Sequence, residues 1–276
     1  MEGSIIMKYD LLDCLTRKIE KFDLPKIDNP DRELYYQDNG CNVLGVAHLD
    51  YVKYSEPRKF GKYVICPQLD DRLGAWILLH LLPKMGINLD ILLTDNEESA
   101  NSTAQYFHPN KKYNWVIEFD RAGSDIVFYQ YDGFSKYWPI TEGIGSFTDI
   151  SDLEHLGVMC ANIGIGYYCQ HTDNCYAHIP TTIKQVKKFA KFYHKNKDTR
   201  FEYSAPEYDY NSLGECDSYY SGQEFARNET TGKWERVQAK WDNDYWNKED
   251  YLSEDYMDYY ERENQECENL YWKNRR

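Results

Sequence analysis

The chain has 276 residues, enough for one large domain or a domain with an appendage. It carries 32 basic and 46 acidic residues, and residues 201–276 hold 9 of the former and 19 of the latter, so the net charge is −10 there and only −4 over 1–200. The absence of a basic stripe argues against nucleic-acid binding. The longest apolar stretch, 75–82, is far short of the roughly 20 residues that span a bilayer.

In chain order, Leu11, Leu12, Leu15, Ile19 and Phe22 recur at helical spacing, which predicts an opening helix over 9–22 that Pro25 stops. Polar loop residues follow to about Gly40. Residues 43–47 and 63–66 read as buried strands, and 72–82 as an apolar helix ended by Pro83 and Gly86. A strand over 89–93 and a short helix over 99–107 come next, then strands over 115–119 and 126–129 around the turn residues Ala122 and Gly123. A helix near 150–156 precedes a strand over 158–163. A closing helix over 182–194 presents Ile183, Val186, Phe189, Ala190 and Tyr193 on one face. Short apolar strands alternating with helices predict an α/β fold, a mostly parallel sheet covered on both faces.

Composition changes after about Asp198. Residues 201–276 contain 11 Tyr and 4 Trp with few aliphatics. Residues 223–227 and 233–237 flank Thr230, Thr231 and Gly232, a hairpin pattern. Leu252, Tyr256, Tyr259, Cys267 and Leu270 approximate one face of a helix. The expected organisation is a catalytic domain over 1–198 and an acidic aromatic extension over 199–276, packed on the core or on a partner because so many rings favour burial. The eight cysteines (14, 41, 66, 160, 169, 175, 216, 267) include no C-x-x-C pair, and residues 1–8 do not read as a signal peptide. Reduced thiols in a cytoplasmic protein are expected.

Five groups of acids and imidazoles fall just after predicted strands, whose C-terminal ends form one rim of such a sheet. His48 and Asp50 make an H-x-D, in which the Asp can fix the tautomer of a ligating His. Asp70 and Asp71 precede the apolar helix, where one carboxylate can bridge two cations and the other cap the helix, and Arg72 can hold a neighbouring carboxylate. Glu97 and Glu98 follow a buried strand. A dication offsets the repulsion of adjacent acids and lets one coordinate while the other moves a proton. Alternation puts Glu118 and Asp120 on one side of a strand, with Asp120 at its end and Glu118 better placed for a structural role. His171 offers a second imidazole, with His178 as a competitor. Cys169 and Cys175 lie close by in sequence, but the surrounding carboxylates suit zinc, cobalt or manganese on N and O donors. His80 sits in an apolar helix as a packed residue. His108, His155 and His194 have no partners by spacing.

The order H-x-D, bridging D, E-E, D, H resembles that of the co-catalytic two-zinc exopeptidases, which include leucyl-type and tetrahedral aminopeptidases and peptidase T. Residues 69–74, L-D-D-R-L-G, are close to the L-D-D-R-x-G of the tetrahedral aminopeptidases; 94–98 resemble their T-x-x-E-E, and 146–149 their T-D segment. The similarity spans about 41–194. It implies a three-layer αβα zinc-exopeptidase core with two divalent metal ions, zinc or else cobalt or manganese. His48 and Asp120 would hold one, Glu98 and His171 the other, and Asp70 both. Glu97 would act as catalytic base and Asp50 would orient His48. The short intervals leave no room for an inserted lid or dimerisation domain. Residues 99–102, where a pattern of small residues usually follows E-E, alter the substrate pocket, and residues 201–276 have no counterpart. The implied activity is that of an aminopeptidase on short peptides; a dipeptidase, carboxypeptidase or N-acyl amino acid deacylase would use the same site. The reading of another class is a binding or scaffold protein working through the acidic aromatic extension, which also offers a surface for self-association or a protein partner.

Overall fold

The computed structural model describes residues 10–29, 32–129, 138, 140–143, 145 and 147–203, and the strand backbone at 225–227 and 234–236. Its strands are β1 (Tyr35–Gln37), β2 (Val43–His48), β3 (Arg58–Phe60), β4 (Tyr63–Ile65), β5 (Asp90–Thr94), β6 (Trp115–Arg121), β7 (Ile126–Tyr129), β8 (Cys160–Gly164), β9 (Tyr167–Tyr168) and β10 (Tyr176–His178). Helices are α1 (Leu11–Thr16), α2 (Leu69–Trp76), α3 (Leu82–Lys84) and α4 (Ile179–Asn196). Six strands make a mixed sheet in the order β1-β5-β2-β6-β8-β7. Its four central strands are parallel and both edges antiparallel, giving the expected α/β class.

The central strands are buried on both faces because each face is covered. On one side Leu44, Val46, Leu92, Val116 and Cys160 pack with Ala104, Phe107, Ile150 and Leu153. On the other, Trp115 and Phe119 meet Phe189 of α4, and Gly45 faces the helix that follows Asp70. A Cβ at Gly45 would fall 2.4 Å from Leu78, so glycine lets that helix approach the sheet.

Four predicted elements take other forms. The opening helix breaks at Arg17, where ψ turns extended, and a short 3-10 turn (Ile19–Lys21) follows. The Arg72 guanidinium takes the Cys14 and Arg17 carbonyls, acceptors that a continuing helix would need. The helix begun by α2 does not stop at Pro83: a π turn (Ile77–Leu81) joins it to α3, whose first turn accommodates a residue without an N–H, and Gly86 in the left-handed region follows. Residues 99–107 form separate 3-10 turns (Glu97–Ser99 and Thr103–Tyr106) parted by left-handed Ala100, because Asp95 and Thr103 exchange bonds across the interval. Asp149–Leu156 is a 3-10 segment with Thr148 and Ser151 as its capping box.

A second sheet, β3-β4-β10-β9, is antiparallel. Only β4 of its strands is foreseen from sequence, and there as a buried strand; its Tyr63 is exposed. This sheet leads β4 into the segment before Asp70 and carries the β9–β10 loop with His171. Beyond α4, Phe201 and Glu202 pair with Met159 and Val158.

The chain divides into two compact units, 1–219 and 220–276. In the second, β11 (Phe225–Arg227) and β12 (Trp234–Arg236) pair antiparallel, within the stretch read as a hairpin. The helix read over 252–270 lies outside the described residues. Among the described residues, no helix is long and apolar enough to cross a membrane. Cys14, Cys66, Cys160 and Cys175 are buried thiols and Cys169 an exposed one.

Candidate metal centre

The C-terminal ends of β2, β5 and β6 meet the start of α2 and the β9–β10 loop. His48 is the last residue of β2 and fully buried. Its Nδ1 lies 3.1 Å from the Asp50 carbonyl oxygen and 3.4 Å from Asp50 Oδ1. An Nδ1–H facing a carbonyl directs the Nε2 lone pair of the neutral ring inward. There Nε2 stands 3.3 Å from Asp70 Oδ1, 3.5 Å from Asp120 Oδ1 and 3.8 Å from Glu97 Oε2. It is buried and makes no hydrogen bond.

Asp70 turns its other oxygen elsewhere. Oδ2 is 3.2 Å from His171 Nε2, which also lies 3.0 Å from Glu98 Oε2. Two donor sets result, His48–Asp70–Asp120 and Asp70–Glu98–His171, each with its ligand atoms within 4.8 Å of one another and with Asp70 in both. A nitrogen with two carboxylate oxygens is hard-to-borderline chemistry that fits a divalent cation such as zinc. The orphaned Nε2 of His48, aimed at carboxylate oxygens, fits the same group.

Each position has a local cause. The Asp50 carboxylate accepts the backbone N–H groups of Glu97 at 3.2 Å and Glu98 at 3.1 Å, tying the end of β2 to the turn after β5. Its carboxylate therefore grips that turn, while its carbonyl makes the closer contact with His48. Asp71 accepts the Gly74 N–H at 2.9 Å, a capping bond. A Cβ at Gly74 would fall 2.3 Å from Asp71 Oδ1, so the glycine of L-D-D-R-L-G makes room for that carboxylate. Arg72 holds no neighbouring carboxylate, contrary to expectation: it donates to the Leu49, Cys14 and Arg17 carbonyls and lies against the Phe22 and Tyr51 rings. The side chain is inward, and the carbonyls it meets lie at the end of α1 and just past β2. Asn162 bonds the Asp120 backbone in both directions, and the Tyr167 hydroxyl donates to Asp120 Oδ1 at 3.2 Å. Sequence reading gave neither residue a role; the polarity of Asn162 within the otherwise apolar β8 was the available signal, and the two-residue β9 offered none for Tyr167. Glu118, fully buried, accepts the Thr148 hydroxyl.

The electrostatics are those of crowded acids. Burial, reinforced by Asp149, Asp70 and Glu98, pushes Glu97 up to about 8 against the pull of His48. Burial and the Asp70 charge push Asp120 well above the carboxylate range. Asp70 moves the other way: burial opposes its ionisation, but His171 and His48 outweigh it and hold the carboxyl low. Burial would depress His48, yet Asp120, Asp50 and Asp70 keep it well above its usual range. Bonds to Asp70 and Glu98 raise His171 to about 10. The surrounding carboxylates thus favour positive charge on both imidazoles.

The other histidines lie apart from this group. His178 contacts Thr181 and the Tyr63 ring, His80 stacks on Trp76 within the core, and His108 meets His155. Neither Cys169 nor Cys175 belongs to either donor set.

No protein-family model matches the chain, and no curated protein sequence matches it. Solved structures to which it is similar include aminopeptidase PepT of Bacillus cereus, at 10% identity and TM-score 0.41, covering 58% of this chain and 83% of that one. A tripeptidase of Staphylococcus aureus gives 10% identity and TM-score 0.46, with 59% and 84% covered. The TET1 peptidase of Pyrococcus horikoshii, which can assemble into a tetrahedron or a large octahedral shell, gives 19% identity and TM-score 0.37, with 46% and 48% covered.

Proposed function

We propose that the chain is a metal-dependent hydrolase, an aminopeptidase that removes N-terminal residues from short peptides at a dinuclear site. The observation that carries this reading is the placement of Asp70, whose two oxygens face two different imidazoles at 3.3 and 3.2 Å. In this reading His48 and Asp120 hold one divalent cation, Glu98 and His171 the other, and Asp70 both. Two zinc ions bound there would supply Lewis acidity toward a scissile carbonyl and activate water near neutral pH.

The chain's own residues do the rest. Glu97, outside both donor sets and 3.8 Å from His48 Nε2, takes the proton of the attacking water and passes it to the leaving amine. Cations held there would favour its ionised form and so bring a carboxyl held at about 8 down toward a working range. Asp50 keeps Glu97 and Glu98 in register through their N–H groups.

Cleavage from the amino end is preferred over the carboxypeptidase and deacylase alternatives on charge. The arginines nearest to Asp70 and Asp120 in sequence are engaged, Arg72 with carbonyls and Arg121 with both oxygens of Asp125 at 2.7 Å. Carboxylates dominate the rim and suit a free ammonium group better than a free carboxylate. A scaffold protein would have no use for a base beside a complete ligand set. Residues 1–198 form the catalytic domain in this proposal, and 199–276 an extension for self-association or a protein partner. A reducing cytoplasmic setting suits the thiols.

Glu97→Gln tests the assignment. Hydrolysis of amino-acyl p-nitroanilides should fall by about 10²–10⁴-fold, the usual weight of a general base, with metal content near wild type. Unchanged turnover would remove Glu97 from its role.

A further inference from the structure

Asp149 is fully buried, lies outside both donor sets and has no part in the mechanism above. Its carboxylate spans the turn that bears Glu97 and Glu98. Oδ2 accepts the Thr94 hydroxyl at 2.6 Å, at the last residue of β5, and Oδ1 accepts the Ser102 hydroxyl, where the turn ends. Ser102 in turn accepts the Ala104 N–H and caps the next 3-10 segment. Between these tethers the backbone needs left-handed residues, Asn96 and Ala100, on either side of the glutamates. Neither is glycine, so this geometry has to be held by its surroundings.

The adjoining residue reaches the opposite half of the site. The Thr148 hydroxyl donates to Glu118 and accepts from Asn162, the same Asn162 that bonds the Asp120 backbone on both sides. The dipeptide 148–149 thus joins the strand end bearing Asp120 to the turn bearing Glu97 and Glu98.

We propose that Asp149 is a positioning residue, which fixes the Glu97–Glu98 turn at both ends so that the base and the second cation's ligand keep their distance from Asp70. This rests on the hydrolase reading. Outer partners that orient ligand-bearing groups are worth about 10–100-fold in metal affinity or activity.

The test uses the full chain, zinc alone as the binding probe, and an amino-acyl p-nitroanilide for turnover. Asp149→Ala should weaken one of two zinc equivalents by about tenfold or more while the other stays within about twofold. It should lower kcat with little change in KM, since the loss falls on the transition state. Ser102→Ala should do the same more weakly, and Asp149→Asn, which keeps one acceptor oxygen, should recover part of the loss. Should Asp149→Ala fail to fold, those two variants carry the same comparison. Wild-type behaviour in the variants would overturn the proposal, as would equal weakening of both equivalents in step with thermal stability, the pattern of a merely structural residue. A wild type that hydrolyses nothing while Asp149→Ala still weakens one zinc selectively would defeat the hydrolase reading and leave the positioning role standing. A wild type that binds no zinc would defeat both.

Discussion

Two sets of buried carboxylates lie at opposite ends of the same strand, and they are satisfied in opposite ways. Asp90 begins β5 and is fully buried. Its Oδ1 accepts the N–H groups of Asn39 and Cys41, both at 2.9 Å. Its Oδ2 accepts the Tyr36 and Tyr113 hydroxyls at 3.0 and 2.9 Å and pairs with Lys111 at 2.6 Å. Every lone pair is met from within the chain, so this charge belongs to the fold. Beyond the other end of β5, Asp70, Asp120, Glu97 and Glu98 crowd about two imidazoles, and burial with neighbouring negative charge pushes Glu97 and Asp120 up. A buried charge is stable when paired. The first site supplies its own partners, whereas in the second the proposed cations would offset the negative charge.

The comparison can be broken by substitution. Asp90→Ala strips the half-buried Lys111 of one partner and leaves four further donors unmet, and should cost about 3–5 kcal/mol in chemical denaturation with zinc stoichiometry unchanged. Loss of zinc in that variant would mean the two ends are not separable. Asp120→Asn at the rim should behave in reverse. It removes one of several repelling acids, so in chelator-treated protein it should cost less than about 1 kcal/mol or even stabilise. The same variant should lose one zinc equivalent. A destabilisation as large as that of Asp90→Ala would contradict the picture of unrelieved repulsion.

The smallest effect is a pH dependence. Glu97 is raised from 4.5 to about 8 and Asp149 from 3.8 to about 6 in the folded chain. For acids held above their unfolded values, the stabilising contribution is complete below the unfolded value and fades as pH rises through the folded one. His171, raised from 6.5 to about 10, loses its contribution in the same sense but higher, and its half-exposed ring gives a smaller share. Chelator-treated protein should therefore lose thermal stability from pH 5 to 9, by about 2–4 °C per kcal/mol for a domain of this size. Zinc, by binding the folded state, should flatten the slope. A rise in Tm over that range would reverse the sign and contradict the burial of these acids.

Much of the central sheet was legible in the sequence because its strands are apolar and bounded by turn residues: 43–47, 89–93, 115–119 and 158–163 all overlap observed strands. The second sheet was not, since β3 is exposed throughout and β9 has two residues, so neither alternation nor an apolar run marks them. The break after Thr16 depends on Arg72, more than fifty residues away, a contact that helical periodicity does not register. The residues expected at the candidate metal centre do come together: His48 and Asp120 stand at the ends of parallel strands, Glu97 and Glu98 follow another, and Asp70 opens a helix at the same rim, while His171 reaches it from the β9–β10 loop of the second sheet. Asn162 and Tyr167 escaped notice, and Asp149 was legible only as part of the T-D segment, for a different reason. They act through backbone atoms and hydroxyls of residues distant in sequence, and only the fold makes those neighbours.

The sharing of Asp70 is tested most directly by counting zinc. Equilibrium binding to the wild type, His48→Ala, His171→Ala and Asp70→Ala should give two equivalents, loss of one, loss of the other, and loss or strong weakening of both. Two equivalents retained at wild-type affinity in Asp70→Ala, or loss of only one there, would contradict a carboxylate common to both cations.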